Sequence, residues 1–179
     1  MVLKAEISFT ESALRAFRKI DHEITIESLE HDFSPRFVKY FVEGALGYAG
    51  SEYAFERGRT DITLFDENHN RAVVIETKRP NEAMDAQKWQ GQAGKYADAT
   101  TRFVGLTNGY RFLLWEATRH GRVLKVDLDF KSLMGAKRAS EDKLTTKETE
   151  QLLFLNNISK EQVWSAGKYS RFNDYYATI

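Results

Sequence analysis

The sequence has no cysteine, only two prolines and no net charge. Without cysteine there is no disulfide framework, no cysteine-ligated zinc and no thiol nucleophile. No apolar run reaches the roughly 18 residues of a membrane span, and the first residues lack the pattern of a signal peptide. Zero net charge gives no support for avid nonspecific nucleic-acid binding, which needs a clustered basic face. We therefore expect a soluble, cytoplasmic protein that has no membrane partner.

The composition is otherwise that of a folded protein, with 12 Phe, 8 Tyr and 3 Trp among 179 residues. At roughly 150 residues per domain, this length predicts about one domain. We expect a core over residues 1–130, and a connector with a helical extension, not an independent domain, over residues 131–179. Acidic residues outnumber basic ones in the first hundred positions. This surplus is either solvated surface or a set of carboxylates gathered for a metal.

Three helices are predicted from capping residues and helical spacing. Thr10 is a suitable N-cap for the first, and Pro35 suits the first turn of the second. The second helix ends at Gly47 or Gly50. The third runs from Asn81 to about Ala97, and a further helix is expected in the C-terminal extension.

Short apolar or alternating segments predict six strands. They cover residues 53–55, 61–65, 72–75, 103–106, 110–115 and 122–130. The second and third form a hairpin, and Asn108-Gly109 forms the tight turn before the fifth. Strands and helices in this order predict an α/β fold, with a mixed central sheet flanked by helices.

The residues with the clearest chemistry lie at the open end of the predicted hairpin. Asp61 begins one strand and Glu76-Thr77-Lys78 ends its partner, so an antiparallel pairing brings them together. Glu76 and Lys78 are two residues apart and share one face of the strand. The hairpin therefore predicts two carboxylates and one ammonium group in a single place.

Two neighbouring carboxylates repel each other unless a cation neutralises them. Oxygen ligands suit Mg²⁺ or Mn²⁺, and both ions bridge readily to phosphate oxygens. Lys78 adds a positive charge that could orient or help deprotonate a water and stabilise a phosphorane. This combination predicts hydrolysis of a phosphodiester. Glu-x-Lys alone is a weak signal, because any exposed strand edge can carry both residues as a surface ion pair. The buried run Val73-Val74-Ile75, however, places Glu76 at the end of a core strand.

The next helix contains Gln92 and Tyr96, which are four residues apart and share one helical face. Together with Asp61 and Glu76-Thr77-Lys78, they resemble the PD-(D/E)XK nuclease superfamily. Gln-x-x-x-Tyr after Glu-x-Lys is similar to the nuclease domains of type I restriction motor subunits and related single-chain restriction–modification enzymes. The resemblance covers roughly residues 34 to 130. Thr60 stands where the superfamily name has proline.

The resemblance implies a restriction-endonuclease-like core that cleaves DNA with Mg²⁺, for which Mn²⁺ substitutes. Asp61, Glu76 and the backbone carbonyl of Thr77 would hold the metal. Lys78 would act on the attacking water. Gln92 would orient the site or contact DNA, and Tyr96 would pack the helix against the sheet.

An upstream helix in such nucleases often supplies another acid, for which Glu43 is the first candidate and Glu56 the second. A solvent-facing glutamate on an amphipathic helix is the alternative for Glu43. Basic residues near the site are weak candidates for phosphate contacts. They are Arg57, Arg59, Arg79, Lys88 and Lys95. Trp89 and Trp115 are expected in the core.

The resulting prediction is the nuclease module of a restriction–modification system. Its partners would be DNA and methyltransferase, translocase or target-recognition modules in the same polypeptide or complex. Two alternatives stay open. One is a non-catalytic DNA-docking or assembly module of the same fold, and the other is a repair or junction-resolving nuclease.

Overall fold

The computed structural model describes residues 2–55, 61–92, 95, 97–134 and 144–165, with only the backbone for residues 2–8 and Asp61. Several predictions concern residues outside these ranges. They are the second acid candidate Glu56, the phosphate-contact candidates Arg57 and Arg59, and the packing residue Tyr96.

A six-stranded mixed sheet forms the centre of the fold, as predicted, with its strands in chain order from one edge to the other. The strands are β1 (Tyr53–Phe55), β2 (Asp61–Phe65), β3 (Arg71–Thr77), β4 (Phe103–Thr107), β5 (Arg111–Thr118) and β6 (Gly121–Asp129). Only β3 and β4 are parallel to each other, and the other neighbours are antiparallel. The parallel pair requires a crossover, which residues 78–102 provide.

The helices flank this sheet. They are α1 (Val2–Glu23), α2 (Glu30–Phe37), a π-helix (Val38–Glu43), α3 (Ala86–Gln90), α4 (Phe130–Met134) and α5 (Thr146–Leu155). Short 3-10 turns occur at Gly50–Glu52 and Asn156–Ile158, and residues 160–165 are also helical. Within the described ranges, no helix combines the length and the apolar character that crossing a membrane requires.

Two apolar clusters cover the two faces of the sheet. The large cluster joins α1, α2, the π-helix, α4 and α5 to one face, and Phe17 lies at its centre against four other phenylalanine rings. The small cluster covers the other face beside α3. Its buried members are Met84, Trp89, Val104, Leu106, Leu113 and Trp115. The prediction that Trp89 and Trp115 belong to the core is thereby confirmed.

The predicted starts of the first two helices are wrong. Thr10 lies inside α1, and Phe9 is a buried member of the large cluster on the same helix. Helix α2 begins at Glu30, where the Asp32 carboxylate accepts a hydrogen bond from the Leu29 N–H at 3.3 Å. Pro35 therefore lies inside α2, where its missing N–H removes one helical hydrogen bond. Packing of the apolar faces outweighs this local cost.

The second helical segment ends slightly before the predicted position, because the π-helix ends at Glu43 with Gly44 as its C-cap and Gly47 follows after a turn. After the π-helix, Gly47 adopts a φ of 82°, in the left-handed region that glycine occupies without strain. The N–H of Tyr48 then donates to the carbonyl of Val42 at 3.2 Å, which satisfies one of the last helical carbonyls. The chain leaves the helix here and turns toward β1.

The C-terminal extension packs on the same core as the N-terminal helices. Four of its side chains are fully buried in the large cluster, namely Leu152, Leu155, Ile158 and Val163. The Lys160 Nζ donates to Glu52 Oε1 at 2.6 Å, and the Lys160 N–H donates to the carbonyl of Leu46 at 2.9 Å. The extension is therefore bound to the turn that precedes β1.

The Lys160–Glu52 pair makes a prediction about stability and pH. The hydrogen bond from Lys160 lowers the pKa of Glu52 below its usual value of 4.5, partly opposed by desolvation. The pair should therefore contribute fully above pH 4.5 and progressively less as the pH falls through the lower pKa of the folded state. Lys160→Met should lower the urea midpoint at pH 7 and shrink its loss between pH 5 and pH 3. An unchanged pH dependence would contradict this role.

Candidate functional site

The strand register brings the predicted acid and the Glu-x-Lys segment to one place. Asp61 lies directly opposite Glu76 in the antiparallel β2–β3 pair, which confirms the predicted hairpin. On the other side of β3, Glu76 lies beside Leu106 of the parallel strand β4. The site is therefore at the end of β3, where the chain leaves the sheet for the crossover.

Glu76 and Lys78 form an ion pair between Oε1 and Nζ. Only 15% of the Glu76 side chain and 16% of the Lys78 side chain are exposed, so water screens this pair less than it screens an ordinary surface pair. The N–H of Lys78 donates to the carbonyl of Thr107 at 2.9 Å, which keeps the chain beside β4 one residue beyond the strand. The two side chains lie on one face, as their spacing predicts.

Trp89 of α3 covers this ion pair. The Lys78 Nζ is 4.6 Å from the centre of the Trp89 ring, within the range of a cation–π contact. The Lys88 Nζ is also close to the ring, at 4.7 Å. Sequence reasoning placed Trp89 in the core and missed its contact with Lys78, because only the path of the crossover decides which core side chain faces the site.

The opposite face of β3 presents a buried polar group. The hydroxyls of Thr77 and Ser34 are 2.7 Å apart, and Thr77 Oγ1 lies 3.5 Å from Glu30 Oε1. Glu30 is the first residue of α2 and thus reaches the residue between Glu76 and Lys78. Sequence reasoning missed this carboxylate, because the predicted helix began at Ser34-Pro35 and left Glu30 outside it. The usable signal was an acidic residue in a first helical turn.

Glu43, the first candidate for an additional acid, has another partner. Its Oε1 accepts a hydrogen bond from the Tyr53 hydroxyl at 2.6 Å, and this bond together with desolvation raises the pKa of Tyr53 to about 12. Tyr53 pairs with Leu64 in β2 and packs against the large cluster. The structure therefore places Glu43 on the face of the sheet that is opposite to the Glu76–Lys78 pair.

Most of the described residues in the predicted helix from Asn81 to Ala97 are not helical, and Gln92 is one of them. Helix α3 has only five residues: Asp85 caps its start by accepting from two backbone N–H groups, and Gly91 is its C-cap. Gln92 follows in a turn and is exposed, so the expectation that it lies on a helical face is wrong. A five-residue helix closed by glycine cannot extend the pattern of spacing on which that expectation rested.

The remaining candidates for phosphate contacts are on the surface. Arg79, Lys88 and Lys95 are all exposed. Arg79 follows Lys78 directly in the sequence. The ammonium groups of Lys88 and Lys78 both lie over the Trp89 ring. Arg79 and Lys88 therefore lie beside the ion pair.

The donor atoms at this end of the sheet suit a magnesium ion. Two acidic residues, Asp61 and Glu76, are at paired register positions, and the backbone carbonyl of Thr77 lies between Glu76 and Lys78 in the chain. Mg²⁺ commonly binds through one or two carboxylates and keeps several waters, so it needs no larger cage. Among the side chains that the structure describes, which exclude Asp61, no three His, Asp or Glu converge on one point.

Comparisons of this chain with protein-family models, curated proteins and solved structures find no match.

Proposed function

We propose that this protein is a Mg²⁺-dependent endonuclease that hydrolyses DNA phosphodiester bonds. One observation carries the proposal: Asp61 lies opposite Glu76 in register, and Glu76 is paired with Lys78 at the end of a core strand. A structural ion pair needs no second acid at the opposite register position, because Lys78 already neutralises Glu76. The second carboxylate is therefore the feature that favours a metal site.

Each residue has a defined task in this proposal. Asp61, Glu76 and the carbonyl of Thr77 would hold Mg²⁺ or Mn²⁺. A bound Mg²⁺ would supply Lewis acidity at a phosphate oxygen and a water of lowered pKa. Lys78 places its positive charge beside Glu76, where it stabilises the negative charge that develops on the phosphate. Gln92, being exposed, is suited to contact DNA and not to orient the site from within.

Glu30 is the better candidate for an additional acid near the metal. Glu30 and Glu43 both lie on the sheet face opposite to Glu76, but Glu30 is 3.5 Å from the side chain of Thr77, whose carbonyl would hold the metal, whereas Glu43 is bonded to Tyr53. A carboxylate in the first turn of a helix is stabilised by the helix dipole, so it stays charged beside other acids. We therefore assign to Glu30 the task that the sequence suggested for Glu43.

The restriction–modification context is a further part of the proposal. It is supported by the resemblance of Asp61, Glu76 and Lys78 to a PD-(D/E)XK set, and by an order of strands in which a hairpin precedes a crossover and a parallel strand. In this context, methyltransferase, translocase or target-recognition modules would direct the nuclease to its DNA. The same order supports the restriction-endonuclease-like core.

The proposal is tested by incubating supercoiled plasmid with the protein and different cations. Mg²⁺ and Mn²⁺ should support nicking or linearisation, and Ca²⁺ should bind without turnover because its looser coordination positions a water less well. Linear duplex should be cut at least as fast as a branched junction. Efficient cleavage in EDTA would contradict the metal mechanism, and preference for the junction would favour a repair nuclease.

Calorimetry with Ca²⁺ distinguishes the enzyme from a non-catalytic module. Binding should be lost in Asp61→Asn and Glu76→Gln, because each substitution removes a charged ligand. Glu30→Gln should weaken binding more than Glu43→Gln does. A larger loss of Ca²⁺ affinity in Glu43→Gln would identify Glu43 as the additional acid. Ca²⁺ binding that is unchanged in the Asp61 and Glu76 variants would favour the docking module.

A further inference from the structure

Among the side chains that the structure describes, two neighbours that attract positive charge contact the Lys78 ammonium group, and they come from different elements. One is the Glu76 carboxylate on β3, and the other is the face of the Trp89 ring on α3. A lysine has four flexible side-chain bonds, and one carboxylate restricts them only partly. A second contact from another direction restricts the ammonium group to a small region.

Trp89 is itself held firmly. Its side chain is 4% exposed in the small cluster, and its indole Nε1 donates to the carbonyl of Ala83 at 3.0 Å. The backbone N–H of Trp89 donates to the carbonyl of Asp85, the residue that caps α3. The ring therefore has a fixed position relative to the sheet, and its contact with Lys78 restricts where the ammonium group can lie.

We infer that Trp89 is the positioning residue for Lys78, because its indole face holds the ammonium group against Glu76 at the point where a substrate phosphate would be met. The inference rests on the proposed function for its catalytic consequence. The contact itself is independent of that function, so the two can be tested separately.

Substitutions at Trp89 test the catalytic consequence. In single-turnover cleavage at saturating Mg²⁺, Trp89→Leu should be roughly tenfold slower than wild type, since it removes the aromatic face. Trp89→Phe keeps an aromatic face that attracts a cation less strongly, so its cleavage rate should lie between those of the wild type and Trp89→Leu. Ca²⁺ affinity should be unchanged in both variants, because neither loses a metal ligand.

Trp115→Phe is the matched control, since Trp115 is buried in the same small cluster and has no cation over its ring among the described residues. It should cleave at the wild-type rate even where its melting temperature falls. Equal rates for Trp89→Leu and wild type would overturn the inference. So would equal slowing in Trp115→Phe, which would indicate a general packing effect.

A measurement without activity tests the contact. In a ¹H–¹⁵N spectrum of the full chain, Lys78→Met should shift the indole N–H signal of Trp89 and leave that of Trp115 in place, while Lys125→Met should shift neither. An unmoved Trp89 signal overturns the inference whatever the cleavage rates. A wild-type protein that cleaves no DNA overturns the proposed function, and the spectrum then still decides whether Trp89 holds Lys78.

Discussion

Lys78→Ala should slow plasmid cleavage by about a hundredfold to a thousandfold, the usual cost of removing one group that stabilises charge in a transition state. Its ammonium group lies against Glu76 with only 16% of the side chain exposed, so water cannot replace it efficiently. The metal ligands are untouched, and Ca²⁺ affinity should therefore stay close to that of the wild type. The measurements are single-turnover cleavage rates and calorimetry on the same preparations.

Lys125→Ala is a suitable control for Lys78→Ala. Lys125 also pairs with a glutamate, Glu116, at 3.5 Å, and its Nζ also lies over an aromatic ring, that of Phe154. It is on β6, at the far edge of the sheet from β1 and β2. The control should cleave at the wild-type rate. Wild-type cleavage by Lys78→Ala would show that the assignment of Lys78 to catalysis is wrong.

Phe17→Ala should lower the free energy of unfolding by about 3–5 kcal/mol, the range for truncating a fully buried phenylalanine. The Phe17 ring is stacked on Phe130 at 3.5 Å between centres and contacts three further rings, those of Phe37, Phe41 and Phe112. Alanine is the best helix former, so the loss comes from packing and not from the conformation of α1. Urea unfolding at pH 7 measures the change.

The control for Phe17→Ala is Phe154→Ala on α5. Phe154 is half-buried and has a single ring–ring contact among the described residues, with Phe103 at 6.3 Å. Its substitution should cost less than half as much. Equal losses in the two variants would contradict the central position of Phe17 in the large cluster. Cleavage by both folded variants should stay measurable at low temperature, because neither side chain touches the candidate site.

The strands and the three central residues of the candidate site, Asp61, Glu76 and Lys78, could be predicted from the sequence, because both depend on local patterns. Alternation of apolar residues identified β2 and a short apolar run identified β3, and the antiparallel hairpin then required Asp61 to meet Glu76. The spacing of two residues placed Glu76 and Lys78 on one face without any knowledge of the tertiary structure. Asn108-Gly109 likewise marked its turn, where Gly109 has a φ of 88°.

The helices were predicted less well, because their ends depend on what their faces pack against. Thr10 and Pro35 have the chemistry of helix starts, yet both lie inside helices whose apolar faces join the large cluster. Burial of a face is worth more than one cap or one missing hydrogen bond. The same error removed Glu30 from the predicted helix and directed attention to Glu43.

The sequence by itself thus determined where the strands lie and which residues, Asp61, Glu76 and Lys78, meet in the candidate site. Both follow from alternation, short apolar runs and short turns, which act over only a few positions. Only the tertiary structure decided which side chains surround them. The short helix α3 turns Trp89 toward Lys78 and leaves Gln92 exposed, and α2 brings Glu30 to Thr77. Such contacts join residues far apart in the chain, and they depend on how each helix packs on the sheet, which no local pattern encodes.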